Sequence, residues 1–83
     1  MRITRIDFQG KDGHVATAQR RDTTIAVTLL TPDMPNGREH LVDATCEEDI
    51  RSMAECLQFH LDGYRGTGSD IREYFHAIQQ LAD

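Results

Sequence analysis

The spacing of apolar residues changes once along this chain of 83 residues, near position 45. Before that position the pattern repeats at about every second residue, which is typical of strands with one buried face. Beyond it the pattern repeats at every third or fourth residue, which is typical of amphipathic helices. Strands followed by helices predict an α+β fold, and a chain of this length forms one core. We therefore predict a single domain over 1–83, ordered ββββαα: an antiparallel β-meander over 1–44, then helices over 45–62 and 69–82.

Two predicted hairpins fix the pairing of the first three strands, and the two pairings agree. Turn residues at 10–13 place Phe8 opposite Ala16. A second tight turn places Ala18 opposite Val27. Both pairings put large apolar side chains opposite small ones on the same face of the sheet. That face is predicted to carry Ile6, Phe8, Ala16, Ala18, Ile25, Val27 and Leu29.

The connection to the fourth strand contains both prolines of the chain and an Asn–Gly pair. These residues favour a loop over 31–38, followed by a short fourth strand over about 39–44. Thr45 with Glu48 three positions later predicts a capping box at the start of the first helix, and Gly63 predicts its end. Because the sheet has one apolar face and each helix one apolar stripe, both helices are predicted to pack on the same side of the sheet.

Charge is unevenly distributed, and the helical half of the chain is the acidic half. Residues 1–40 contain six Arg or Lys against five Asp or Glu, residues 41–83 contain three against nine, and the net charge is −5. Binding to nucleic acid needs clustered Lys and Arg, so we predict no nucleic-acid partner. No apolar run approaches the roughly 20 residues that a membrane span needs, and the N-terminus lacks the apolar region of a secretory signal. We therefore expect a cytoplasmic protein with no membrane partner.

The two cysteines predict reduced thiols. Cys46 and Cys56 are ten positions apart, which on one continuous helix separates their Cα atoms by about 15 Å. A disulfide needs Cα atoms within about 7 Å, so an internal bridge is not expected. Cys56 shares a helix flank with His60, but two ligands fall short of the four in a structural zinc site. We predict no metal and no cofactor.

A glycine-rich segment joins the two predicted helices and is a candidate anion site. Its ligands would be Arg65, Gly66, Gly68 and Ser69, at a helix N-terminus that offers N–H groups and partial positive charge. The same residues also fit a turn and a helix cap, and Asp70 would repel a phosphate. The segment lacks the Gly-Lys-Ser/Thr ending of a P-loop. The alternative function is therefore a small domain that binds an anion or a phosphate ligand through this segment.

Phe59 is the aromatic residue that departs from the helical pattern. At about 100° per residue it falls opposite the apolar stripe of the first helix, beside Glu48, Ser52 and Glu55. Contact with a partner would explain an aromatic residue there. An ordinary exposed apolar residue, or a ring covered by a loop, would explain it too.

No serine, cysteine or carboxylate catalytic arrangement is present in the pattern, so we predict that the chain is not an enzyme. The leading interpretation is a small acidic binding or regulatory module that acts by protein–protein interaction. Its partner would be another protein or a second copy in a homodimer. Charge complementarity predicts a basic patch on that partner.

Overall fold

The computed structural model describes residues 3–63 and 69–82, except the side chains of Ser69 and Asp70. The elements in chain order are β1 (Arg5–Gln9), β2 (Val15–Arg21), β3 (Thr24–Thr31), β4 (Met34–Asp43), α1 (Glu47–Asp62) and α2 (Ser69–Ala82). The strands form one antiparallel sheet in the order β1-β2-β3-β4. Both helices pack against it, which confirms the predicted ββββαα arrangement.

The pairing of the first three strands is as predicted. Phe8 pairs with Ala16, and Ala18 pairs with Val27. All seven residues of the predicted apolar face belong to the core, four of them buried and three half-buried at its margin. Ala16 and Ala18 are small enough to let the helices approach the centre of the sheet. Opposite them, α1 buries Ile50, Leu57 and Leu61, each of which stabilises the fold by about 2 kcal/mol.

The fourth strand begins earlier than predicted, and the expectation of a loop over 31–38 is wrong. Only Pro32 and Asp33 form the turn, which the Met34 N–H closes by donating to the Thr31 hydroxyl oxygen at 3.0 Å. The Asn–Gly pair lies in a β-bulge instead, where Gly37 takes a φ of 73°. A glycine accepts that backbone conformation without strain, and an edge strand tolerates a proline. β4 therefore has ten residues.

The start of α1 also differs from the prediction, because Thr45 is not its N-cap. Cys46 occupies that position without a side-chain cap. Thr45 instead donates both its N–H and its hydroxyl to Asp43 Oδ1, at 2.8 and 2.7 Å. The nearby carboxylate thus competes successfully for the hydroxyl that a capping box would use. At the other end, Gly63 terminates α1 in the predicted left-handed conformation, with a φ of 81°.

Arg20 anchors the C-terminal end of α2 to the sheet. Its Nη1 atom donates to the backbone oxygens of Leu81 and Ala82, at 2.7 and 2.8 Å. Its Nε atom donates to the backbone oxygen of Asp22. The last carbonyl groups of a helix lack partners within the helix, so this guanidinium supplies donors that α2 cannot. Strand alternation would have identified Arg20 in the sequence, because it places this charged residue on the same face of the sheet as Ala16 and Ala18.

Candidate docking surface

The outward side of α1 carries the four residues that the sequence grouped as a partner-binding surface. Glu48, Ser52, Glu55 and Phe59 are all exposed there, opposite the buried stripe. Phe59 leaves 57% of its surface exposed, so the interpretation that a loop covers its ring is wrong. Positions three and four apart lie on one side of a helix, and the four side chains therefore form a continuous row. We call this row the α1 strip.

A cavity of about 420 Å³ lies beside Phe59, between the end of α1 and the loop that joins β1 to β2. Cys56, Phe59 and His60 line its helix side, and Lys11 and His14 line its loop side. We call it the His cavity, after its two imidazole rings. A concave surface next to an exposed aromatic ring has the shape that receives an anchoring side chain from a partner.

Backbone oxygens hold both imidazole rings of the His cavity in place. His60 Nε2 lies 3.0 Å from the Val15 oxygen and 3.1 Å from the Leu30 oxygen. Since both oxygens only accept, Nε2 carries a proton and donates it. His14 Nδ1 donates to the Lys11 oxygen at 2.8 Å, and the two ring centroids are 5.2 Å apart in an edge-to-face arrangement. His60 therefore fastens the last turns of α1 to the end of the sheet, a role that its sequence position did not reveal.

Cys56 and His60 lie on one flank of α1, as their spacing predicts. In the part of the chain that the structure describes, no three His, Cys, Asp or Glu side chains are grouped so that they could hold a metal ion. Neither Cys46 nor Cys56 is in a disulfide, and both are half-buried. Cys46 is the N-cap residue of α1.

A second cavity of about 290 Å³ lies on the same flank, between α1 and β4. Residues 40–42 form its sheet side, and Asp49, Ser52 and Met53 form its helix side. Cys56 lines this cavity and the His cavity alike, so the two follow one another along the helix. Ser52 connects it to the α1 strip. We call the two cavities and the flank between them the α1–β4 groove.

Negative charge is concentrated where α1 begins. The first turn of the helix contains Glu47, Glu48 and Asp49, of which Glu47 pairs with Arg51 at 3.3 Å. The hydroxyl and N–H of Thr45 donate to the Asp43 carboxylate and hold its pKa below the ordinary value of 3.8. Asp43 is therefore ionised at neutral pH. Of these carboxylates, that of Asp49 lines the groove, where it favours a cationic ligand.

The candidate anion site falls almost entirely outside the described residues. Arg65, Gly66 and Gly68 lie outside the described residues, and of Ser69 only the backbone, at the start of α2, is described. Anion binding by this segment stays a prediction.

Among the described residues outside α1, the large exposed apolar side chains are Ile3, Met34 and Leu41, with Leu41 exposed at 68%. Leu41 lies on β4, where the sequence analysis did not single it out. Strand alternation would have identified it, because its neighbour Val42 faces the core. The described helices include none that is long and apolar enough to cross a membrane.

Comparison of the chain with protein-family models, with curated proteins and with solved structures gave no match.

Proposed function

We propose that this chain is a non-enzymatic binding module that docks on another protein through the α1 strip. The observation that carries the proposal is Phe59, which exposes 57% of its surface on an otherwise regular amphipathic helix. An aromatic side chain that is exposed in the monomer and buried in a complex is a common energetic centre of protein interfaces. The His cavity beside it offers a concave receptor for a partner side chain.

The carboxylates of the α1 strip support a partner with a basic surface. Glu48 and Glu55 flank Ser52 on the strip, and Asp49 adds a further charge in the first turn. Opposite charges across an interface accelerate association and select against partners of like charge. Association with the true partner is therefore expected to slow as the salt concentration rises, since salt screens exposed charges.

The proposed compartment is the cytoplasm. The two cysteines support it, because neither Cys46 nor Cys56 is in a disulfide. Thiols stay reduced in that compartment.

A comparison of three forms of the chain tests the docking proposal. Untagged protein purified from its own host is analysed by native mass spectrometry, which gives the oligomeric state and the identity of any retained partner. The affinity for that partner, or for a second copy, is then measured for the wild type, for Phe59→Ser and for Met34→Ser. Met34 is the matched control, because it is also a large exposed apolar residue, at 49%, but lies at the β3–β4 turn.

Phe59→Ser is expected to weaken the complex by about tenfold or more, since burying a phenylalanine side chain is worth about 1.5–3 kcal/mol. Met34→Ser is expected to change the affinity by less than about threefold, as substitutions away from the interface centre do. If Phe59→Ser leaves both the oligomeric state and partner capture unchanged, the α1 strip is not the docking surface.

A further inference from the structure

One edge of the sheet is open beside the α1–β4 groove. β4 is the last strand in the sheet order, and among the described residues only β3 pairs with it. The Ala44 N–H donates to the Thr23 oxygen at 2.9 Å, and the register is regular from that end as far as Arg38. In an antiparallel pair, residues that point their N–H and C=O groups toward the partner strand alternate with residues that point them away from it. Glu39 and Leu41 therefore turn their N–H and C=O groups away from β3, toward the open edge.

Only the second half of β4 can accept another strand. Its first half contains Pro35 and the bulge at Gly37, and both features interrupt the ladder of N–H groups that a further strand requires. The regular half runs from Arg38 to Asp43, and its residues 40–42 line the cavity of about 290 Å³. An added strand there would direct alternate side chains over the groove and away from it.

The charge of the groove indicates what this strand contains. Asp49 lines the cavity, and Glu48, the residue before it in the first turn of α1, lies on the α1 strip. A second copy of this chain would bring its own net charge of −5 to the same place. Because like charges repel across an interface, the second copy is the poorer occupant and a cationic segment the better one.

We propose that the partner docks by adding an extended, basic segment to β4. The segment pairs with the backbone of Glu39 and Leu41 and places a Lys or Arg side chain in the groove beside Asp49. Backbone hydrogen bonds then provide affinity, and the groove provides selectivity, as in other cases of strand addition. This inference rests on the proposed function and states how a partner of the α1 strip is recognised.

The test uses peptides, because the partner itself is not identified. A random library of displayed twelve-residue peptides is selected against the full chain, and the enriched peptides are synthesised. Their affinities are measured for the wild type and for Leu41→Pro, Leu41→Ala, Asp49→Lys and Phe59→Ser. Proline at position 41 removes an N–H from the open edge and none that donates to β3, whereas alanine removes only the side chain.

Enriched peptides are expected to carry Lys or Arg at alternate positions. Leu41→Pro should weaken their binding by about tenfold, the expected loss for one hydrogen bond, while Leu41→Ala changes it by less than about threefold. Asp49→Lys should weaken binding by at least as much as the proline variant. It alters an exposed side chain in the first turn, so its result counts even if Leu41→Pro fails to fold.

The variants separate failure of this inference from failure of the proposed function. Loss of binding in Phe59→Ser together with full binding in Leu41→Pro and Asp49→Lys would leave the α1 strip in place and overturn strand addition. Peptide binding that is unchanged in Phe59→Ser, Leu41→Pro and Asp49→Lys would overturn the strand addition proposal. A selection that enriches no basic peptide would overturn it too. A wild-type dimer in analytical ultracentrifugation that Leu41→Pro dissociates would identify a second copy as the occupant, and would also overturn it.

Discussion

Replacing Arg20 by alanine should destabilise the fold more than replacing any other arginine of the sheet. The side chain joins the end of β2 to the end of α2 through Nη1, which donates to two backbone oxygens, and through Nε, which donates to Asp22. Alanine removes all three contacts and leaves the last carbonyl groups of the helix without this donor. It also removes a positive charge from the negative end of the helix dipole.

The size of the loss follows from those contacts. A hydrogen bond to a charged group contributes about 1.5–3 kcal/mol, and the dipole interaction adds about 0.3–1 kcal/mol. The oxygens are only partly buried and can bind water in the variant, so the contributions do not add in full. We expect a loss of about 2–3 kcal/mol in the free energy of unfolding. In a domain of 83 residues this lowers the melting temperature by roughly 10–20 °C.

Thermal unfolding followed by circular dichroism measures this effect, with Arg21→Ala as the control. Arg21 is the next residue, and its guanidinium forms an ion pair with Glu39 at 3.7 Å. Both side chains are exposed, that of Arg21 by 62% and that of Glu39 by 48%. Such a surface pair is worth about 0–1 kcal/mol. A melting temperature for Arg20→Ala that equals that of Arg21→Ala would refute the reasoning. Arg20→Lys, which keeps the charge but not the planar fork, should fall between the two.

Three further substitutions test other parts of the fold. His60→Ala should cost about 1–3 kcal/mol in urea unfolding, because it removes the donor that Val15 and Leu30 share; no change would show that α1 is fastened otherwise. Gly10→Ala should cost about 1–3 kcal/mol or more, since a Cβ there would overlap the backbone of Leu61; wild-type stability would refute that close approach. Asp43→Asn should be less stable than the wild type at neutral pH. The folded state lowers the pKa of Asp43, so this advantage exists above 3.8 and is lost as the pH falls through the folded-state value. If the wild type stayed more stable than Asp43→Asn below the folded-state pKa, the contribution assigned to the ionised carboxylate would be contradicted.

Local rules were sufficient to predict the pairing of β1, β2 and β3. Each hairpin has a short connection, and a slip of one residue would have turned Phe8 or Val27 to the wrong face. The end of α1 was equally predictable, because Gly63 alone suits the left-handed position. In each case the determining contacts lie close together in the sequence.

Features that depend on competition between neighbours were not predictable in this way. The sequence around Pro35 and Gly37 fits a loop as well as a bulged edge strand, and only pairing with β3 decides between them. Thr45 fits an N-cap as well as a partner of Asp43, and the carboxylate is the stronger acceptor. Both errors concern residues whose side chains or backbone have two satisfactory local alternatives.

The candidate site also has one feature that local rules predicted and others that they did not. The position of Phe59 opposite the buried stripe followed from the helical period, because its direction relative to Ile50 and Leu57 is fixed by the geometry of one helix. Its exposure did not follow, since a loop covering the ring would have fitted the same pattern. The α1–β4 groove did not follow, since it depends on how far α1 lies from β4 and on which edge of the sheet stays open. Those are tertiary properties, and no single segment encodes them.

The most direct test of docking at this surface is an NMR titration of the isotope-labelled full chain with the strongest selected basic peptide. Amide chemical shifts should change for residues 39–42 of β4 and for residues 49–60 of α1, and the remaining strands should stay nearly unchanged. Shift changes confined to β1 and β2, or to the N-terminal turn of α2, would contradict docking at the α1 strip and the groove beside it.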